Sequence, residues 1–224
     1  MVSIKSFKDA RKVISTASKK AFKSSIRDVS AWILILSNIW VGFLLIWKGL
    51  PITNLLWVYI AQSVIIGIFW FIKFYLFANS EVSRKRVGID YIFPYFLVHV
   101  LYAAAIFGIM KYASAFSESF TKVDYYYILS GIGIFAVNHL ISFFINYNKD
   151  KRKMQKLDKI RLVSAPYIRV IPIHFLILFN FLVIAPLFYI IKTLAGVSNI
   201  ILVIIFILLK TYVDILMHAK EHEN

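Results

Sequence analysis

Six apolar runs, each long enough to cross a bilayer as a helix, constrain this chain more than any other feature. They are Ala31–Trp47, Leu55–Phe77, Ile92–Tyr112, Tyr125–Asn146, Tyr167–Ile191 and Val197–His218. A helix of about 17–25 residues spans the hydrocarbon core, and only helices or closed barrels satisfy their backbone hydrogen bonds in lipid. The runs lack the alternation of barrel strands. We therefore expect an all-α, polytopic integral membrane protein with a bundle of six transmembrane helices.

The basic residues outside these runs are distributed unevenly between alternate connections. Segment 1–30 contains eight of them, three more follow the second run (Arg84–Arg86), and seven lie between positions 149 and 161 after the fourth run. The connections on the other side of the membrane contain only Lys48, Lys111, Lys122 and Lys192. Because cytoplasmic connections carry the excess of lysine and arginine, the pattern predicts that both termini are cytoplasmic. We expect the cell (plasma) membrane as the location, with anionic lipids at the basic face.

This topology also explains the formal net charge of +15, and no nucleic-acid recognition motif accompanies that charge. The expected partner is therefore the lipid bilayer and not nucleic acid, while a homo-oligomer or a larger membrane complex stays open. Segment 1–30 is a basic N-terminal arm, either an interfacial helix on anionic lipid or a solvated arm that sets orientation. Residues 31–222 form the transmembrane domain. The lack of cysteine excludes disulfides and thiolate metal sites.

Four ionisable residues inside the apolar runs are candidates for a functional site. They are His139, His174, Asp214 and His218. An ionisable group inside a span costs about 2.5–3.5 kcal/mol on insertion scales, so such groups are generally paired or functional. In the predicted topology all four lie within about 15 Å of the cytoplasmic face. Imidazole and carboxylate together ligate zinc, iron or manganese. We therefore predict that these four residues form a site for a divalent transition metal, with zinc as the first choice.

The same residues allow two other interpretations. They could form a proton relay, or a polar network that contains no metal. Lys210 lies one helical turn before Asp214 and could neutralise it by pairing. Among the remaining histidines, His99 is expected to be a packed, hydrogen-bonded residue and His222 a solvated one.

Two short motifs carry less information. HAKEH (His218–His222) matches the H-x-x-E-H pattern of inverted zincins, but only two residues follow in which the further ligand of that motif could lie. Gly131 and Gly133, in SGIGIF, are expected to allow close helix packing. The sequence contains neither a serine elbow nor a nucleotide-binding glycine loop.

Four segments together resemble the membrane family of unknown function numbered 6498. They are YIAQSVIIGIFWFIKF (Tyr59–Phe74), NHLISFFINY (Asn138–Tyr147), APYIRVIPIHF (Ala165–Phe175) and LLKTYVDILMHAKEH (Leu208–His222). The resemblance covers about residues 31–222 and implies a six-helix integral membrane protein. It supports the choice of the four site residues, which all lie in these segments, and it implies no particular reaction.

The resemblance also implies which residues surround the site. Ser142, Arg169 and Lys210 match polar positions of the family pattern, and Gln62 stands where that pattern usually has a glutamate. All four are therefore candidates for contact with the metal ligands. An amide at position 62 cannot supply the base or the anionic ligand that a glutamate would provide.

These observations favour a metal-binding membrane protein, in one form a metal-dependent enzyme that acts on a lipid-soluble substrate. The first alternative is a transporter or proton-coupled carrier that uses the same histidines as a relay. The second is a non-catalytic structural or accessory membrane subunit. Whether the chain is an enzyme stays open, and no residue is assigned a catalytic role.

Overall fold

The computed structural model describes residues 28–78, 84–114, 122–157, 159–179 and 195–222, and every regular element among them is an α-helix. The helices are α1 (Val29–Trp47), α2 (Ile52–Phe77), α3 (Arg84–Ser114), α4 (Tyr125–Ile145), α5 (Tyr147–Met154), α6 (Lys159–Phe179) and α7 (Ala195–His222). The prediction of an all-α protein is confirmed. Most of the predicted basic arm, 1–27, lies outside the described residues.

Four helices are long and apolar enough to cross a membrane. They are Val29–Trp47, Ile52–Phe77, Ile89–Gly108 within α3, and Tyr125–Ile145. These helices correspond to the first four predicted spans and agree with a membrane protein. The fifth predicted span overlaps α6 but would end within 180–194, which is outside the described residues, and the sixth coincides with α7. The count of six spans and the direction of the termini stay predictions.

Local sequence signals explain where the helices begin. Asp28 precedes α1 in extended conformation, and its Oδ1 accepts a hydrogen bond from the Ser30 N–H at 2.9 Å. Asp124 caps α4 in the same way, accepting from the Tyr127 N–H at 2.9 Å. Both carboxylates also lie at the positive end of a helix dipole. Gly49, with a φ of 60°, allows the tight turn between α1 and α2.

Helix α2 is the central helix among those described, since it packs against each of the other six described helices. The largest apolar core surrounds Tyr59 of α2, which is completely buried. The rings of Phe135 from α4 and Phe206 from α7 lie with their centroids 5.8 and 5.5 Å from the Tyr59 ring. Side chains of α4 and α7 therefore meet α2 at Tyr59, and Leu45 of α1 belongs to the same apolar cluster.

A glycine allows α4 to approach α2 closely. A Cβ atom placed on Gly131 would lie 2.7 Å from Cγ1 of Val58, which is too short for a real contact. The predicted packing role of Gly131 is therefore confirmed. The same prediction is not supported for Gly133, because no described atom lies within 4 Å of a Cβ placed there.

Polar contacts identify one end of the bundle, which we term the Asp28 end. Ser30, at the start of α1, contacts both Asn146 at the end of α4 and His218 near the end of α7. Lys73, near the end of α2, forms an ion pair of 2.7 Å with Asp150 of α5, the helix that follows α4. Helices α4 and α7 thus run antiparallel to α1, as the predicted alternation of the spans requires.

The opposite end, termed the Lys48 end, is also marked by polar contacts. Lys48 after α1 forms an exposed ion pair of 3.2 Å with Asp124 before α4. Asn54, in the first turn of α2, donates to the Lys122 carbonyl at 2.8 Å and accepts from the Asp124 N–H at 2.8 Å. The start of α2 and the start of α4 are therefore joined at this end.

Candidate functional site

Three polar residues of α7 lie on one face of that helix. Lys210, Asp214 and His218 are spaced by four residues, and such positions lie one above another on a helix of 3.6 residues per turn. All three side chains are buried. Helices α1 and α2 contribute the polar groups that meet this face.

Lys210 carries a charge into the interior of the bundle, where its side chain is 0% exposed. Its Nζ donates hydrogen bonds to Asp214 Oδ2 and, over 2.9 Å, to Gln62 Oε1 of α2. The same nitrogen lies 4.6 Å from the centroid of the Tyr59 ring, at a distance typical of a cation–π interaction. A carboxylate, an amide oxygen and an aromatic face thus contact the ammonium, which compensates for part of the hydration lost on burial.

Asp214 is held by two donors on one oxygen. In addition to Lys210, Asn38 Nδ2 of α1 donates to Asp214 Oδ2 at 2.8 Å. The other carboxylate oxygen, Oδ1, has no hydrogen-bond partner in the described ranges, and the same holds for Asn38 Oδ1, Tyr59 Oη and Gln62 Nε2. Buried polar atoms nearly always have a partner. Four such atoms around one ion pair therefore indicate a place where a small polar ligand or ion can bind.

This cluster, the Lys210–Asp214 site, lies near the middle of the helices that form it. Asn38 is the tenth residue of the 19 in α1, and Gln62 is the eleventh of the 26 in α2. At a rise of 1.5 Å per residue, Asn38 is about 14 Å from each end of α1. The contacts that Asn38 and Gln62 make with the site therefore lie well inside the bundle.

His218 lies one turn beyond Asp214, at the Asp28 end. Its Nε2 is 3.0 Å from Asp28 Oδ2 and 3.1 Å from Ser30 Oγ, and the Ser30 hydroxyl donates to Asp28 Oδ1 at 2.8 Å. The side chain of Asp28 is 20% exposed and that of His218 only 4%. The hydrogen bond from His218 holds the pKa of the Asp28 carboxyl well below its usual range, against the opposing effect of burial. A partly exposed, ionised carboxylate thus orients a buried imidazole.

The four predicted metal ligands are distributed over different parts of the bundle. Asp214 and His218 belong to the polar face of α7, while His174 of α6 lies beside His99 of α3, with ring centroids 5.0 Å apart. His139 of α4 lies 6.0 Å from the Phe69 ring of α2, centroid to centroid. Among the residues that the structure describes, no group of three or more histidine and carboxylate side chains could hold a metal ion. The predicted four-residue zinc, iron or manganese site therefore has no support in this geometry and stays a prediction.

Two of the four residues predicted to surround that site belong to the Lys210–Asp214 site, namely Gln62 and Lys210 itself. Ser142 instead lies at the Asp28 end, where its hydroxyl and carbonyl accept from Asn146 Nδ2 at 3.5 and 3.1 Å. The side chain of Arg169 is outside the described part of the chain.

Sequence reasoning missed three residues of the site region. Asn38 is an amide in the middle of an apolar run, which is a visible signal for a buried polar contact. Asp28 stands just before the first apolar run. Its role as a helix-capping carboxylate can be recognised from the sequence, but its histidine partner cannot. Tyr59 carries no signal, because tyrosine is common among apolar helix residues of this chain, which contains 13 of them.

An all-helical bundle with four membrane-length apolar helices and a buried ion pair has the features of a polytopic membrane protein with an ionisable interior. The family model described as "Family of unknown function (DUF6498)" matches residues 20–224, and the chain belongs to this family. The resemblance drawn from the four segments is thus confirmed. No curated protein and no solved structure shows a significant match.

Proposed function

We propose that this protein is a proton-coupled membrane carrier in which the Lys210–Asp214 pair gains and loses the proton. The observation that carries this proposal is the position of the pair, which is 0% and 1% exposed and lies near the middle of the helices. Ionisable residues placed in this way inside membrane helices usually belong to ion or proton pathways. A purely structural network is expected to satisfy its buried polar atoms, whereas four atoms around this pair have no partner within the described residues.

The chemistry of the pair favours small monovalent cations as the exchanged solute. With both groups ionised, the pair has no net charge. Loss of one proton would leave a net charge of −1, which a medium of low dielectric constant strongly disfavours. A monovalent cation bound to Asp214 Oδ1 and to the neutral oxygens of Asn38 and Tyr59 would restore neutrality. Oxygen atoms are the ligands that hard cations prefer.

His218 and Asp28 offer a route between this site and the Asp28 end. His218 lies about 6 Å along the axis of α7 from Asp214, and its hydrogen-bond partner Asp28 is partly exposed. An imidazole can accept a proton at one nitrogen and release one at the other. The proposed relay uses His218 alone among the histidines, since the ring of His174 contacts that of His99 instead.

In the proposed orientation the chain crosses the cell membrane six times, with both termini and the Asp28 end in the cytoplasm. The basic groups Arg84–Arg86 and 149–161 support this orientation, because they follow α2 and α4. Both helices end at the Asp28 end. Anionic lipids would then meet the same basic surface.

The test is cation-driven proton movement in proteoliposomes. Purified protein is reconstituted into vesicles that contain a pH-sensitive dye, and sodium, potassium or lithium is added outside. We expect the lumen to become alkaline as the cation enters in exchange for a proton. Asp214→Asn should abolish the response, and His218→Gln should slow it.

Asp124→Asn is the matched control, because it makes the same chemical change at a carboxylate of the Lys48 end and asparagine is still a good helix cap. This variant should respond like wild type. The proposal fails if none of the three cations changes the lumenal pH with wild-type protein. It also fails if Asp214→Asn responds as wild type does.

The metal-dependent enzyme and the accessory subunit gain no specific support from the described residues. Both stay predictions from the sequence, and we do not propose either of them.

A further inference from the structure

A second pair of buried polar side chains lies between α3 and α6 and takes no part in the proposed proton exchange. His99 of α3 and His174 of α6 are 4% and 7% exposed. Their ring centroids are 5.0 Å apart, and the ring planes meet at 83°. Two imidazoles from different helices are thus in contact inside the bundle.

The hydrogen bonds of the two rings define which nitrogen carries the proton. Nδ1 of His99 is 2.8 Å from the Tyr95 carbonyl, and Nδ1 of His174 is 2.8 Å from the Val170 carbonyl. A carbonyl oxygen only accepts hydrogen bonds, so each Nδ1 is the donor. In a neutral imidazole, Nε2 then has a bare lone pair. Neither Nε2 has a hydrogen-bond partner within the described portion of the chain.

These two rings cannot satisfy each other by hydrogen bonding. In an ordinary pair of packed histidines, the N–H of one ring donates to the lone pair of the other. Here both N–H groups are already bonded to the carbonyl four residues earlier in their own helices. Two buried lone pairs on adjacent rings are therefore left without a donor among the described residues, and a cation bound to both would satisfy them. An Nδ1–H bonded to a backbone carbonyl is also the usual support of a metal-binding histidine.

We propose that His99 and His174 form a two-coordinate binding site for copper(I). Both ligands are neutral, so the bound ion brings its full charge into a medium of low dielectric constant, and a monovalent ion costs less there than a divalent one. Copper is well suited to imidazole ligands, and copper(I) is stable with two of them. Zinc in a structural site almost always takes four protein ligands, and the described residues provide no third histidine or carboxylate here.

The separation of the rings is compatible with a shared ion. With metal–nitrogen bonds of about 2.0 Å, an ion lies about 3.2 Å from each imidazole centroid. The observed separation of 5.0 Å is shorter than the linear nitrogen–copper–nitrogen arrangement that two-coordinate copper(I) prefers, so the rings must move apart when the ion binds. A linear arrangement would require the centroids to move apart by about 1.4 Å on the same bond lengths.

Two tyrosine rings lie against the pair. The ring of Tyr95 lies 4.5 Å from that of His99, and the ring of Tyr102 lies 4.1 Å from that of His174, centroid to centroid. The Tyr102 hydroxyl donates to the His174 carbonyl, which fixes the tyrosine against α6. Among the described side chains, these two rings lie directly against the pair and supply no imidazole or carboxylate ligand. Such an environment favours copper(I) over copper(II), which requires a larger coordination shell.

The test is copper(I) binding by the full chain. The protein is purified in detergent with an affinity tag that contains no histidine, and copper(I) is supplied anaerobically with a chromogenic chelator as competitor. We expect one copper ion per chain for wild type. His99→Phe and His174→Phe should each lower the affinity by at least about 100-fold, the upper range found when a supporting residue of a metal site is removed.

His139→Phe is the matched control, since His139 is also a buried histidine against an aromatic ring, and it should retain the copper. Because replacing a buried histidine can disturb folding, X-ray absorption of copper-loaded wild type provides a second measurement. It should show two nitrogen ligands and no sulfur. The proposal is overturned if wild type does not compete for copper, if the His99 and His174 variants still bind it, if His139→Phe loses it, or if the spectrum shows sulfur ligands.

Discussion

Asn38 Nδ2 donates a hydrogen bond of 2.8 Å to Asp214 Oδ2, and this contact joins the middle of α1 to the polar face of α7. The same oxygen accepts from Lys210. A neutral amide therefore shares one carboxylate oxygen with an ammonium group, while Asp214 Oδ1 has no partner among the residues described. Substitutions can therefore separate the contribution of charge to the stability of this site from the contribution of hydrogen bonding.

The first prediction concerns the charge of the pair. Lys210→Met leaves Asp214 as a buried charge without its counter-ion, and removing one partner of a buried pair typically costs about 3–5 kcal/mol of folding free energy. Asp214→Asn has the same effect on Lys210. The double variant Lys210→Met/Asp214→Asn removes both charges and should be more stable than either single variant. If the losses of folding free energy from the two single substitutions simply add in the double variant, the two groups do not stabilise each other.

Thermal unfolding in detergent, followed by tryptophan fluorescence, measures these differences. The chain contains five tryptophans and no cysteine, so thiol-reactive dyes give no signal.

A pH dependence is expected from Asp28, because His218 holds the folded-state pKa of this carboxyl below its usual value. Such a group stabilises the folded protein above the unfolded-state pKa of about 3.9, and its contribution is lost as the pH falls through the folded-state pKa. Wild type should therefore melt at a higher temperature than Asp28→Asn near neutral pH. The difference should shrink on acidification below about pH 4.

The same comparison in a His218→Gln background is the control for this prediction. Without the imidazole, the Asp28→Asn substitution should lower the melting temperature by a smaller amount at neutral pH. Asparagine keeps the helix cap, so capping does not contribute to the comparison. A difference that stays constant across the acid range would show that the ionised form of Asp28 is not the stabilising one.

Two nearby glycines of α4 give a matched test of helix packing. Gly131→Ala places a Cβ 2.7 Å from Val58 of α2, and overpacking of this kind costs about 1–3 kcal/mol. Gly133→Ala meets no described atom within 4 Å and should leave the melting temperature unchanged or slightly higher, since alanine favours the helix. Equal effects of the two substitutions would mean that the approach of α4 to α2 is not limited by residue 131.

The orientation in the membrane can be tested with single cysteines, because the natural chain has none. Arg152→Cys and Lys122→Cys place a thiol at exposed positions of the Asp28 end and the Lys48 end. With an impermeant maleimide on intact cells, we expect labelling at position 122, and at position 152 only after lysis. The reverse pattern would exclude cytoplasmic termini.

The helices were largely predictable because an apolar run bounded by charged or turn residues leaves few alternatives in lipid. The first predicted span begins at Ala31, two residues after the start of the helix itself, which begins at Val29 behind the Asp28 cap. The Lys210–Asp214 pair was visible for a similar reason, since a spacing of four residues on one helix requires no knowledge of the other helices.

The partners from other helices were not predictable in the same way. A helix that is apolar on all sides does not show which face it turns toward its neighbours, so neither Asn38 nor Tyr59 could be placed beside α7. The same limit explains why the neighbours of the buried histidines could not be predicted. His99 and His139 both stand alone in apolar runs, and only the packing of α3 against α6 brings His99, and not His139, to His174.

The location of Lys210 and Asp214 on a single helix has a consequence for how the chain is inserted during synthesis. Helix α7 follows α1 and α2 in the chain, so it emerges from the ribosome after them. Its two charges neutralise each other within one turn, so insertion of α7 as the sixth predicted span would not depend on a preformed partner. Asn38 and Gln62 are already present as uncharged amides. Arrival of α7 is therefore the step of assembly that adds an ion pair to the uncharged amides of Asn38 and Gln62.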